Sequence, residues 1–256
     1  MLENASKLAR MVKRGGVRGV IRNVPVWCRL AYDRHHERRL GIRTEGIISV
    51  DELARTDGGQ EHEAHAVFYQ PWPYAKFKRM MRALPDVDPA RSTFIDFGSG
   101  KGRALVLAAD HGFARVVGVE MFASLCDEAR DNIESYRSKR GDNRSRIEVV
   151  CTDATRYALP DGDLFCYFYN PFDEVAAAPR SHPCFALTNA AKAVVSAGDW
   201  QVMRQVLAGI LTAVAGQSRR LVIGYANPVC HAVFDSAPAL RLVTANDSFR
   251  VYDNRP

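Results

Sequence analysis

From Thr93 onward the chain alternates short apolar runs with longer amphipathic ones. Thr93–Phe97, Arg115–Val119, Ile147–Cys151, Leu164–Tyr169 and Leu221–Tyr225 are runs of five or six residues, rich in β-branched and aromatic side chains. Such runs predict buried strands. Between them, Gly102–Asp110, Ser124–Tyr136 and Asp199–Val214 predict helices. In the last of these, Met203, Val206, Leu207, Ile210, Leu211 and Val214 recur at the 3.6-residue period. Strands alternating with helices predict a parallel sheet covered on both faces. The end departs from this pattern, because Leu240–Thr244 and Phe249–Tyr252 flank Asn246-Asp247 and predict an antiparallel hairpin. Upstream, a helix is predicted from Pro73 to Leu84, with Phe77, Met80, Met81 and Leu84 on one side. Residues 44–66 are polar and turn-rich around Asp57-Gly58-Gly59, which predicts a linker or docking loop. The expected fold is therefore α/β: a doubly wound, seven-stranded, mostly parallel sheet with an antiparallel C-terminal hairpin and an N-terminal helical extension. The expected division is an extension and linker over 1–68 and the sheet domain over 69–256.

Composition adds bounds to this picture. With 256 residues, 47% hydrophobic and 25% charged, the chain suits one large domain, or one domain plus an extension. Its longest apolar run, Val206–Gly216, is far shorter than the ~20 residues of a membrane span. No secretory signal is expected, since no charged segment leads into an apolar one at the start. The six cysteines, Cys28, Cys126, Cys151, Cys166, Cys184 and Cys230, show no C-x-x-C spacing. Reduced thiols in the cytoplasm are the expectation.

Charge is unevenly placed. The net charge is +6, yet residues 1–43 alone carry +8 and the remainder −2. Lys7, Arg10, Arg14, Arg18 and Arg22 fall at helical spacing, with Met11, Val12, Val17, Val20 and Ile21 around the other side, but Gly15-Gly16 and Pro25 break the arm, so one long helix is not expected. A solvated helix face accounts for this run, and so does a surface for an acidic partner: membrane, nucleic acid or acidic protein. Val24, Val26, Trp27 and Leu30 are expected to pack on the body. Removal of 1–43 is expected to leave ligand binding unchanged.

The chemistry concentrates where the first strand gives way to a helix, at Asp96-Phe97-Gly98-Ser99-Gly100-Lys101-Gly102. A phosphate-cradling G-x-x-x-x-G-K-[ST] loop fails here, because Ile95 holds the first glycine position and Gly102 follows the lysine. A dinucleotide loop, G-x-G-x-x-G, meets Arg103 where its third glycine belongs. The pattern D-x-G-x-G-x-G resembles motif I of the class I S-adenosylmethionine (SAM)-dependent methyltransferases. Three further elements follow in register. Glu120 ends the second strand, 24 residues after Asp96; Asp153-Ala154 follows the third; Asn170-Pro171-Phe172 follows the fourth. All lie past the carboxyl ends of strands, the edge where open α/β sheets bind ligands.

The resemblance covers about residues 90–256 and implies SAM as cofactor. It assigns Asp96, Gly98, Ser99, Gly100 and Gly102 to the cofactor loop, Glu120 to the ribose hydroxyls, and Asp153 and Ala154 to the adenine. Asn170 and Phe172 would face the methyl group as the catalytic pair, with Asn170 also touching the cofactor. The strings Asp96–Arg103, Val117–Glu120, Tyr167–Phe172 and Tyr69-Gln70-Pro71-x-Pro73-Tyr74 resemble a poorly characterised bacterial methyltransferase group. Tyr69 or Tyr74 is expected to close over the cofactor. Amino-directed relatives use [DNS]-P-P-[FYW], and this chain has one proline where they have two. The acceptor is thus unidentified, with an amine nitrogen of a protein or small molecule as the leading reading. A non-catalytic binding module recruited by the basic arm and a nicotinamide oxidoreductase are the alternatives.

No metal is expected, because His62 and His65 lack the H-E-x-x-H spacing. His35-His36 is read as surface. Residues 173–198 make a long connection of the kind that covers a substrate.

Overall fold

The computed structural model describes residues 26–57, 69–141, 145–169, 171–172, 200–226 and 230–255. The basic arm before Val26, His62 and His65, and the connection over 173–198 lie outside them.

Seven strands form one sheet: β1 (Ser92–Phe97), β2 (Arg115–Glu120), β3 (Arg146–Cys151), β4 (Asp163–Tyr169), β5 (Leu221–Ala226), β6 (Arg241–Ala245) and β7 (Phe249–Asp253). Their order is β3-β2-β1-β4-β5-β7-β6. The first five pair in parallel, while β7 runs antiparallel to both β5 and β6. This is the expected sheet. The apolar runs became its central strands because every residue of β1 and β5 is buried, leaving no polar face to alternate.

Side-chain alternation then divides the core. Phe94, Phe165 and Tyr167 point to one face, against Phe77 and Met80 of α3 (Tyr74–Arg82), Leu105 of α4 (Arg103–His111) and Ile133 of α5 (Ala123–Arg140). Ile95, Phe97, Cys166 and Phe168 point to the other face. There they meet Met203, Val206 and Ile210 of α6 (Gln201–Val214) and Phe234 of α7 (His231–Asp235). The short helix α7 has no counterpart in the sequence reading.

Two more helices precede the sheet. Helix α1 spans residues 26–40, and α2 (Val50–Thr56) lies within the segment read as a linker. Ser49 starts α2 by accepting from the Glu52 amide, and Asp51 and Glu52 face the positive end of its dipole. Ile48 and Tyr69 then form an antiparallel bridge. So the 44–57 part of that stretch is ordered structure against the domain. In α1, Val26, Trp27 and Leu30 are half-buried, whereas the fully buried positions are Asp33, His36, Glu37 and Leu40. The helix docks by a stripe that is mostly polar.

Candidate functional site

The glycine loop is shaped by its neighbours. The Gly98 and Ser99 amides donate to the Val119 carbonyl at 2.8 and 3.1 Å, which ties the loop to the end of β2. Gly98 and Gly100 hold φ of +78° and +52°, a region that costs other residues strain. Both are also crowded. A Cβ on Gly98 would fall 2.6 Å from that of Pro171, and one on Gly100 would fall on the Tyr69 ring. The room that Gly100 leaves is therefore filled by Tyr69, whose hydroxyl donates to the Thr44 carbonyl at 2.6 Å. Gly102 sits behind the loop at the start of α4, with Ala129 of α5 3.2 Å from where its Cβ would be.

Two acids lie beneath the loop. Glu120 accepts from the Gly100 amide at 2.8 Å through Oε2, and from the Met121 and Phe122 amides at 2.9 and 3.1 Å through Oε1. Burial raises its pKa, and the three amides pull it partly back. Asp96 is wholly buried, and desolvation with the nearby Glu120 charge pushes its carboxyl well above the usual range. Asp153, past β3, turns Oδ1 to the Thr155 amide and hydroxyl at 2.8 and 2.7 Å and caps the turn Ala154–Arg156. The Ser99 side chain lies against β2, 2.7 Å from where a Cβ on Gly118 would stand.

Above these residues runs a cavity of about 720 Å³. It begins at Thr152, Asp153 and Ala154 past β3, passes over Glu120 and then Asp96, and ends against Tyr167 and Phe77. Pro171, Phe172, Val202 and Gln205 border one side, and Tyr69, Gln70 and Trp72 the other. Of the residues assigned from the sequence, Tyr69, Asp96, Gly98, Ser99, Gly100, Glu120, Asp153, Ala154 and Phe172 border this one cavity. Gly102 does not border it, and Asn170 lies outside the described residues. Tyr74 does not close over it: its ring is fully buried between the Arg103 guanidinium at 4.5 Å and the stacked His36 ring at 5.3 Å. His36 is likewise no surface residue; burial first, then the Lys78 charge, push its pKa down to about 4.

Sequence reasoning missed Trp72, Arg103, Tyr167, Tyr169 and Asp57 as lining residues. The alternation Tyr167-x-Tyr169 was the available signal for two of them, since it sends both rings to one face.

Arg103, directly after the loop, is the hub of the missed part. Its Nε donates to Thr44 Oγ1 at 2.6 Å. Its Nη atoms reach Asp33 at 3.3 Å, Glu37 at 3.0 Å and the Trp72 carbonyl at 3.2 Å. Glu37 in turn accepts from the Thr44 amide and hydroxyl at 2.7 and 2.5 Å. Asn132 of α5 binds both backbone groups of Arg43 and the Lys101 carbonyl. The extension is thus latched to the glycine loop by buried, charge-assisted hydrogen bonds. Both latching acids, Asp33 and Glu37, fall within the 1–43 segment whose removal is expected to leave ligand binding unchanged.

The methyltransferase domain family matches residues 95–169, from within β1 to the end of β4. No curated protein matches the chain in sequence. Among solved structures, an RNA methyltransferase from Salinibacter ruber in complex with S-adenosyl-L-homocysteine is 20% identical, with a TM-score of 0.41, over 72% of this chain and 91% of that one. Magnesium protoporphyrin IX methyltransferase from Synechocystis PCC 6803 is 13% identical, with a TM-score of 0.39, over 89% and 94%. A SAM-dependent methyltransferase from Thiobacillus denitrificans is 14% identical, with a TM-score of 0.37, over 69% and 56%. At these scores none of the three carries its substrate to this chain. The family match spans β1 to β4, and within it lie Asp96 and Glu120, the two acids at the ends of β1 and β2 that border the cavity.

Proposed function

We propose that this protein transfers a methyl group from SAM to an amine nitrogen of a small-molecule or protein acceptor. The observation that carries the reading is the continuous cavity over the carboxyl ends of β3, β2, β1 and β4, with Glu120 and Asp96 on its floor. The donor set fits this cofactor. Two buried carboxylates favour a ligand bearing a sulfonium and an ammonium. They disfavour the diphosphate of a nicotinamide dinucleotide, and the Gly100 amide that would cradle a phosphate is already given to Glu120.

When bound, SAM supplies a methyl group already activated on positive sulfur, so the chain's work is alignment and exclusion of water. Phe172, half-buried beside Val202 and Gln205, walls the side on which the acceptor would enter. Asn170 is the proposed hydrogen-bond acceptor for the target amine.

Calorimetry with S-adenosylhomocysteine tests the cofactor half of this reading, and transfer of labelled methyl to amine acceptors tests the other half. Glu120→Ala should weaken cofactor binding by about 1.5–3 kcal/mol, the range for a hydrogen bond to a charged group. Affinity within twofold of wild type would remove the ribose role from Glu120. Cofactor binding without any turnover would favour a binding module.

A further inference from the structure

We propose that the Tyr167 hydroxyl recognises the carboxylate of the amino-acid end of SAM. The inference rests on the cofactor reading above and adds a residue to it. Neighbouring strands lie about 4.8 Å apart, so a ligand with adenine over β3 and ribose over β2 extends across β1 toward β4. Its amino-acid end then lies over Asp96 and Tyr167. These two residues are direct partners in the β1–β4 register and share a sheet face. One offers an acceptor and the other an O–H donor, which matches the ammonium and carboxylate of an amino acid.

The cavity wall carries other donors, Arg103 nearest the loop among them. The Arg103 guanidinium is committed to Asp33, Glu37, Thr44 and the Trp72 carbonyl. Tyr167 is held in place by Phe94, Phe77 and Trp72, with ring centroids at 5.8, 5.6 and 6.1 Å. Its hydroxyl is fully buried and makes no hydrogen bond among the described residues. Packing alone would be served better by phenylalanine, since an unmade buried hydrogen bond costs stability. Burial pushes the phenol pKa far up, so the group remains a donor at any physiological pH.

The experiment compares SAM with decarboxylated SAM, which keeps the sulfonium and the amine and lacks only the carboxylate. Binding of each to the full chain is measured by calorimetry for wild type and Tyr167→Phe, with thermal unfolding of the unliganded proteins alongside. The substitution should weaken SAM roughly tenfold or more and leave decarboxylated SAM within about twofold, without lowering the unfolding temperature. Equal losses for both ligands, or no loss for SAM, would overturn the role of Tyr167 while leaving the cofactor reading intact. A wild-type protein that binds neither ligand would overturn both.

Discussion

Gly100 shows how a neighbouring side chain, and not only a ligand, can demand a glycine. The glycine pattern marks a position where a side chain is not tolerated, but it does not say what occupies the space. Here Tyr69 does, and the cofactor need not. Gly100→Ala should therefore destabilise the fold by about 1–2 kcal/mol from the left-handed backbone alone, plus the cost of displacing the ring. In a Tyr69→Ala background only the backbone part should remain. Denaturant unfolding of the four proteins checks this, and simple additivity would show that the two residues do not press on each other.

Asp96 carries a pH signature at the same scale. Its folded pKa is raised above 3.8, so the folded state holds a proton that the unfolded state has released. The stability it contributes is full below the ordinary value and is lost as pH rises through the folded value. Asp96→Asn should be most stabilising relative to wild type at neutral and higher pH, with the gain vanishing toward pH 4. Unfolding temperatures that differ by a constant amount across that range would contradict the raised pKa. The acids themselves were legible because ligand chemistry confines them to strand ends. Their protonation was not, because it depends on burial that no local string encodes.

At the scale of elements, hydrophobic periodicity located every strand, and the helices α3 to α6, to within a few residues. It failed for α1, whose buried stripe is Asp33, His36, Glu37 and Leu40. The spacing is helical, but three of the four residues are polar, and the method weighs only apolar ones. What holds Asp33 and Glu37 inside is Arg103, some 66 to 70 residues away, which the sequence pattern marks only as a failed third glycine. Arg103→Ala would leave Asp33 and Glu37 without their partner and should cost about 3–5 kcal/mol. Arg103→Lys keeps the charge but cannot reach Thr44, Asp33, Glu37 and Trp72 together, so a smaller loss is expected. Near-wild-type stability of the alanine variant would show that the latch contributes little to holding α1.

For the whole molecule the question is where the working protein begins. Residues 1–25 carry +5 of the +6 net charge, whereas the groups that brace the glycine loop begin at Asp33. Charge and site therefore separate near Val26. A chain lacking 1–25 should keep its unfolding temperature and its affinity for S-adenosylhomocysteine. If the arm meets an acidic surface, this truncation alone should abolish binding to anionic vesicles or nucleic acid, and that binding should fade as salt rises, because exposed charges are screened over about 8 Å at 0.15 M. A chain lacking 1–57 loses Asp33, Glu37 and Thr44 together, and with them both the Arg103 network and the anchor of the Tyr69 hydroxyl. It should unfold at a markedly lower temperature and bind the ligand weakly or not at all. Equal behaviour of the two truncations, whether both intact or both impaired, would mean that the latch is not what joins the extension to the site.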